Sequence, residues 1–402
     1  MISFSPPRID EKIIEAVSAV LRSGWITTGP KTKLFEKKIA EYCGAPSVLC
    51  LNSATAGLEL ALRWYGVGAG DEVILPAYTY AATANVVMHC GATPVLADVN
   101  KDDFNISLED IKKKITAKTK VIMPVDFGGL PCDYTAIMNL AESSKDLFVA
   151  KGDNQKKLGR IMVLSDAAHS FGATYKGKKT GACADISAFS FHAVKNLTTA
   201  EGGAMAFNLP VPFDNGEIYK ALCVTSLHGQ NKDALAKTQK DNWRYDIIEP
   251  GYKCNMTDIM AVIGLIELER YNSDTLKRRK AIVEAYQKGL SGYSWAELPV
   301  FKDAERESSY HLFPLRIKGI NEEKRDAIIQ KIFDKDVSVN VHFIPLPMMS
   351  FYKSHGYKIN DYPVTYNNFS REISLPVFYD LTDEQVKTVL DAVVKSVAEV
   401  IG

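Results

Sequence analysis

No stretch of this chain approaches the ~18 uninterrupted apolar residues of a membrane helix. Its N-terminus, MISFSPPRIDEKIIEAV, shows no basic cluster leading into an apolar run, so neither a membrane anchor nor a secretory signal is expected. Charge of one sign is missing too. Lys plus Arg number 48 and Asp plus Glu number 48, which excludes nucleic-acid or membrane binding driven by bulk charge. The seven cysteines, at 43, 50, 90, 132, 183, 223 and 254, include no CxxC pair and are odd in number. Thiols scattered in this way read as free residues of a reducing compartment rather than a disulfide framework or metal site, so the cytoplasm is expected and no metal is. Internal repeats and low-complexity tracts are absent.

What is present is alternation. Apolar runs of strand length stand at 47–51, 72–76, 93–99, 121–126, 161–166 and 186–191, with helical stretches at 54–65, 81–89 and 108–115 between several of them. Continuous apolar strands separated by helices predict an α/β fold with a mostly parallel sheet covered on both faces. Ahead of it, residues 10–22 read as an amphipathic helix, followed by the loop GWITTGP (24–30) and a second helix over 32–42. A long connecting helix is expected over 257–285. Strand patterns at 310–317 and 337–346, with helices at 320–334 and 383–400, then suggest a smaller α+β unit. At 402 residues the chain exceeds one economical core, giving a large domain over 1–270 and a small one over 271–402. Segment 146–160 reads as a surface hairpin turning at 151–154.

Ligands of open α/β sheets gather at the carboxyl ends of the strands. After the first strand, Asn52-Ser53-Ala54-Thr55-Ala56-Gly57 opens a helix whose first N–H groups could hold a phosphate, although Ser53 could equally be a plain N-cap. Asp166 ends the strand at 161–166, among small residues, and is placed to face something cationic. The strand ISAFSF runs into His192-Ala193-Val194-Lys195, and Gly202-Gly203 follow closely. Lysines ordinarily solvate surfaces. One that follows an apolar strand can instead have its pKa lowered and act as nucleophile and proton carrier. Amine, carboxylate and anion cradle together are what pyridoxal phosphate requires.

The segments GWITTGP, NSATAG, GDEVILPAYTYAATAN, GATPVLADV, DAAHSFGATYKGKKTG, FSFHAVKNLTTAEGG, PGYKCNMTD and VHFIPL, in that order, resemble the DegT-type sugar-nucleotide aminotransferases. The likeness is greatest to the branch that makes UDP-4-amino-4-deoxy-L-arabinose, and it spans nearly the whole chain apart from 146–160. It implies a fold-type I, aspartate aminotransferase-like architecture with a seven-stranded-type sheet, pyridoxal 5'-phosphate as cofactor, and a homodimer with shared active sites. It also implies residue roles. Lys195 is the Schiff-base lysine, Asp166 the partner of the pyridinium nitrogen, and His169 lies near the ring's phenolic oxygen. Tyr80 stacks on the ring, and the N–H groups of Thr55 and Ala56 with the Ser190 hydroxyl hold the phosphate. Lys253 and Asn255 reach the phosphate from the neighbouring subunit, while Trp25, Ile26, Thr27, His228, His311 and His342 are substrate-side candidates.

Relatives that deoxygenate sugars carry His where Lys195 stands, so the resemblance implies transamination. The expected reaction takes an amino group from L-glutamate to a keto group of a nucleotide-linked sugar, a 4-keto sugar, for polysaccharide synthesis. A same-fold enzyme acting on a keto-inositol or another cyclic ketone is the alternative. A non-catalytic cofactor-binding sensor is disfavoured by the presence of both Lys195 and Asp166. Asp126 stands where relatives commonly have His, a change expected to alter the substrate-side surface.

Overall fold

The computed structural model describes residues 1–232 and 244–402. Strands β1 (Ser47–Leu51), β2 (Glu72–Pro76), β3 (Thr93–Ala97), β4 (Thr119–Ile122), β5 (Met162–Asp166), the two-residue β6 (Thr174–Tyr175) and β7 (Lys178–Lys179), β8 (Ile186–Ser190) and β9 (Gly203–Phe207) follow in chain order. All but β6 and β7 join one seven-stranded sheet in the order β1-β9-β8-β5-β4-β2-β3. Only β9 runs against the others, pairing antiparallel with both β1 and β8. Six carboxyl ends therefore lie along one edge.

Both faces of this sheet are buried, and the alternation of side chains along each strand sorts them. On β2, Val73 and Leu75 pack with Leu58, Leu62, Val87 and Met205 on one side. Ile74, between them, packs with Ile122, Ile137 and Val163 on the other. The expected α/β arrangement is the one observed.

Beyond Leu276 a second core forms. Strands β10 (Ala296–Glu297), β12 (Phe313–Ile317) and β13 (Glu372–Leu375) make a small antiparallel sheet, and β11 (Arg306–Glu307) between them in sequence pairs instead with β6. Helices Leu276–Leu290, Glu322–Phe333 and Asp383–Ile401 pack Ile282, Ile328 and Val389 around Phe313 and Leu315. The last helix starts with a capping box formed by Thr382 and Gln385. Ile2 crosses from the N-terminus to this core, where its N–H donates to the carbonyl of Asp336 at 2.7 Å.

Three expectations need correction. Segment 146–160 is not a hairpin: it carries a 3-10 turn (Lys145–Leu147) and a short helix (Asp153–Leu158). Gly159 can adopt the left-handed turn that ends that helix, and Gln155 is buried, donating to the carbonyls of Tyr65 and Gly66 at 3.1 and 3.2 Å. These anchors hold the segment against the amino-end side of the sheet, away from the strand ends that carry Asp166 and Lys195. The helix expected over 257–285 is broken into Asp258–Glu269 and Leu276–Leu290 by a wide turn at Tyr271–Thr275. There Tyr271 is drawn inward to donate to Phe171 O at 2.5 Å, while Asp274 faces Arg8 and Tyr379. Residues 337–346 form no named strand; only single bridges at Val337 and Asn340 remain.

At the amino ends of β5 and β8, Arg160 grips Asp185 with two bonds of 2.7 and 2.8 Å, and Val163 N–H donates to the same carboxylate at 2.9 Å. Both side chains are buried, so removing Asp185 takes from Arg160 its bidentate partner and leaves it only Ile161 O at 2.9 Å and Glu142 at 3.7 Å. Asp185→Ala is expected to cost about 3–5 kcal/mol in urea unfolding. Cofactor absorbance of the folded variant should match the parent, since this pair lies at the sheet edge opposite the strand carboxyl ends.

Candidate active site

The carboxyl ends of β1, β2, β5 and β8 open into a cavity of about 400 Å³. Its wall includes Ser53, Thr55, Tyr80, Asp166, His169, Ser190, Lys195, His311 and His342. These residues come from segments far apart in the chain, and parallel strands ending at one edge help to bring them together.

Asp166, only 6% exposed, is fixed by two donors. Thr83 Oγ1 donates to one carboxylate oxygen at 2.9 Å and Ala168 N–H to the other at 3.2 Å. Burial pushes its carboxyl up from the ordinary value, against those two bonds and the nearby Lys195. Burial also lowers the Lys195 amine to about 8, and the Asp166 charge opposes that shift only in part. A lysine at this value supplies free amine near neutral pH, which an ordinary surface lysine does not.

At the end of β1, Ser53 caps the helix Ala54–Trp64 by accepting from Ala56 N–H at 3.1 Å. Ala56 itself is therefore engaged by its cap, and Thr55 is the first-turn residue on the cavity wall. The start of β9 passes against this turn so closely that a Cβ on Gly203 would lie 2.4 Å from Ala54 N. Backbone packed this tightly fixes the helix start beside Ser190, whose hydroxyl shares the cavity. The donor set fits pyridoxal phosphate: a free amine, a buried carboxylate, and a helix start with a hydroxyl for the phosphate.

Three imidazoles complete one side. His169 and His311 have ring centroids 4.4 Å apart, and burial holds both far below the ordinary histidine value. His342 is pushed down to about 3 by the same cause. All three are neutral donors or acceptors, oriented through Gly128 N–H on His169 Nδ1 (3.3 Å), Asn196 Oδ1 on His311 Nδ1 (2.8 Å) and Ser374 Oγ on His342 Nδ1 (2.9 Å).

The remaining sequence candidates lie elsewhere. Ile26, Thr27, His228 and Lys253 are exposed, and with Trp25 and Asn255 they occupy a surface next to the end of β1. Thr28 organises it: its hydroxyl accepts from Asn255 Nδ2 at 2.6 Å, and its carbonyl accepts from Trp25 Nε1 at 3.2 Å. His228 N–H bonds Tyr252 O at 2.7 Å, and Lys253 reaches Asn255. None of the six lines the cavity. Sequence reasoning missed Thr83, Phe4, Ser5 and Phe343. Thr83 carried a faint signal as the hydroxyl one turn into a helix that follows a strand, whereas Phe4 and Ser5 arrive by a long-range crossing that no local pattern announces. Asp126, expected on the substrate side, is instead wholly buried beneath the cavity. Among the described residues no cluster of three or more His, Cys, Asp or Glu is arranged to hold a metal ion, and no helix is long and apolar enough to cross a membrane.

Known proteins share the sequence pattern and the fold. Residues 7–394 match the DegT/DnrJ/EryC1/StrS aminotransferase family. A putative sugar aminotransferase, Spr1654 of Streptococcus pneumoniae, solved in its PMP form, superposes with a TM-score of 0.96 at 47% identity over 100% of both chains. Its PLP form gives 0.95 at 45% identity. The spore coat polysaccharide biosynthesis protein SpsC of Bacillus subtilis is 37% identical over 98% of this chain and 96% of its own. An uncharacterized protein of Methanocaldococcus jannaschii is 40% identical over 99% of this chain and 98% of its own.

Since the neutral form of Lys195 is reached near pH 8 rather than lysine's ordinary ~10.4, borohydride trapping of pyridoxal phosphate on the cofactor-free protein should rise to a plateau above about pH 8. A rate still climbing at pH 10 would contradict the lowered value. Peptide mapping should find the label on Lys195, and Lys195→Ala should lose it while keeping the parent's circular dichroism.

Proposed function

The chain belongs to the DegT/DnrJ/EryC1/StrS aminotransferase family and is a pyridoxal-phosphate-dependent sugar aminotransferase, and from that premise we propose that it carries an amino group from L-glutamate to the keto carbon of a nucleotide-linked 4-keto sugar, for polysaccharide synthesis. The observation that carries this reading is the shared cavity of Lys195, Asp166 and the Ser53–Thr55 helix start, flanked by three neutral imidazoles. Neutral rings suit sugar hydroxyls, which ask for donors and acceptors rather than charge. A cytoplasmic setting fits seven cysteines that are all free.

In this reading the bound cofactor supplies an aldehyde that amines can attack and a ring that accepts electron density. Everything else falls to the chain. Asp166, held by Thr83 and Ala168, would pair with the cofactor's ring nitrogen and favour its protonated form, as a carboxylate does for a cationic N–H. The first turn at Ser53–Thr55 and the Ser190 hydroxyl bind the phosphate. Lys195 would hold the cofactor through its amine and, when free of it, would take up and return the proton of the reacting substrate carbon at its Nζ. Tyr80, 65% exposed at the mouth with its ring centroid 5.8 Å from Phe343, would cover the cofactor ring. His169, His311 and His342 line the substrate side.

The second surface, with Trp25, Ile26, Thr27, His228, Lys253 and Asn255, fits a homodimer in which each subunit completes its partner's site. Ile26 (49% exposed) offers an apolar contact, and the exposed Lys253 ammonium a cation for phosphate.

Two measurements test these points. L-Glutamate alone should convert the cofactor's absorbance and release 2-oxoglutarate with ping-pong kinetics; an unchanged spectrum would exclude glutamate as donor. A panel of keto sugar nucleotides followed by product mass then identifies the acceptor. Separately, Lys195→Ala and Lys253→Ala homodimers, each inactive, should regain activity when unfolded together and refolded, because a hybrid holds one intact site. Failure of this mixture would mean that each site draws both residues from a single subunit.

A further inference from the structure

Asp126 lies beneath the cavity, and its bonds run to the loop that meets His169. One carboxylate oxygen accepts from Cys132 N–H at 2.8 Å and from the Tyr134 hydroxyl at 2.7 Å; the other accepts from Ser170 Oγ at 2.6 Å. The bond to Cys132 closes residues 126–132 into a ring. Inside it Phe127–Gly129 turns tightly, with positive φ at Gly128 (60°) and Gly129 (97°). That turn points Gly128 N–H at His169 Nδ1.

The same carboxylate also holds the other side of the contact, because Ser170 directly follows His169. Two further bonds lock the geometry: Ser309 Oγ donates to the His169 carbonyl at 2.5 Å, and Ser309 N–H donates to Gly129 O at 3.0 Å. A Cβ on Gly129 would come within 2.2 Å of Ser309 Oγ, so the loop cannot sit where it does with any larger residue there. A neutral imidazole offers one acceptor nitrogen, whereas a carboxylate takes all three donors that converge here. The aspartate at 126, in place of the histidine of relatives, therefore matches its surroundings and does not shape the substrate surface.

We propose that Asp126 is a positioning residue of the reaction: by clamping the 126–132 loop to Ser170 it keeps Gly128 N–H on His169 Nδ1 and so fixes His169 in the tautomer that carries its proton on Nε2. An N–H donor at Nδ1 requires a lone pair there, which leaves the ring proton on the opposite nitrogen. His169 lines the cavity, so the edge left to the cofactor is a hydrogen-bond donor rather than an acceptor. The proposal rests on the reading of this cavity as the cofactor site.

The test combines a spectroscopic and a kinetic readout on the holoenzyme. In protein labelled with 15N-histidine, the His169 signals are those missing from His169→Gln. They should report a single Nε2–H tautomer in the parent and a mixture in Asp126→Asn. The same variant should lose kcat by about tenfold or more, as expected when the partner that orients a functional histidine is altered, with a smaller change in the KM for glutamate. In the His169→Gln background, which has no tautomer to fix, adding Asp126→Asn should cost about twofold or less in kcat. Equal losses in both backgrounds, or an unchanged His169 tautomer, would overturn the proposal. If Asp126→Asn does not fold, Ser170→Ala, which removes one of the three bonds, is read by the same two criteria. A His169→Gln enzyme with the parent's kcat and cofactor absorbance would remove His169 from the cofactor, and that result would overturn the cavity reading and this proposal together.

Discussion

An amine and a carboxylate held out of water in one cavity set the conditions for the structure around them. Burial disfavours the charged form of each, moving Lys195 down and Asp166 up, and their mutual attraction offsets only part of that cost. Such a pair persists only where its surroundings are rigid and well supplied with donors. Thr83 and Ala168 N–H meet the carboxylate at the end of β5, and Lys195 sits in the turn that follows β8, its N–H donating to His192 O at 2.9 Å. The strain of the site is thus borne by β5 and β8, which pair in parallel over Leu164–Asp166.

The other end of those strands has the opposite electrostatic character. Arg160 and Asp185 are also buried, but as a matched bidentate pair with backbone support, and neither points into a cavity. Satisfied charges at the amino ends stabilise the sheet; incompletely satisfied groups at the carboxyl ends give it chemistry. The same division recurs among the histidines. His169, His311 and His342 each have one nitrogen engaged by the protein, so each presents a defined second nitrogen to a ligand.

Much of this was legible from residue pattern. Lys195 and Asp166 follow apolar strands, and in a parallel sheet that position alone brings them to a common edge. Ser53 was readable as a cap and as part of an anion site, and it lies at the cavity while capping its helix. Other features depended on contacts far apart in sequence. Phe4 joins the wall by packing on His342 with centroids 5.4 Å apart, and nothing in MISFSP announces that crossing. The helix at Asp153–Leu158 looked like a turn because its stability comes from Gln155 bonding to Tyr65 and Gly66, ninety residues away. The break at Tyr271 has a similar cause, since 257–285 contains no proline and the turn is fixed by contacts to Phe171, Arg8 and Tyr379.

Sequence by itself determined the alternation of strands and helices, the α/β class, the family, and the amine and carboxylate of the site. The alternation and the class follow from periodicity, the amine and carboxylate from side-chain chemistry near strand ends, and the family from the resemblance of its ordered motifs, all of them readable along the chain. Tertiary structure decided which candidates share a cavity and which form a separate surface around Thr28. It also decided that Asp126 turns inward to three donors and that the imidazoles are neutral. Each of those outcomes depends on burial and on the direction of hydrogen bonds between distant segments, quantities that exist only once the chain has packed.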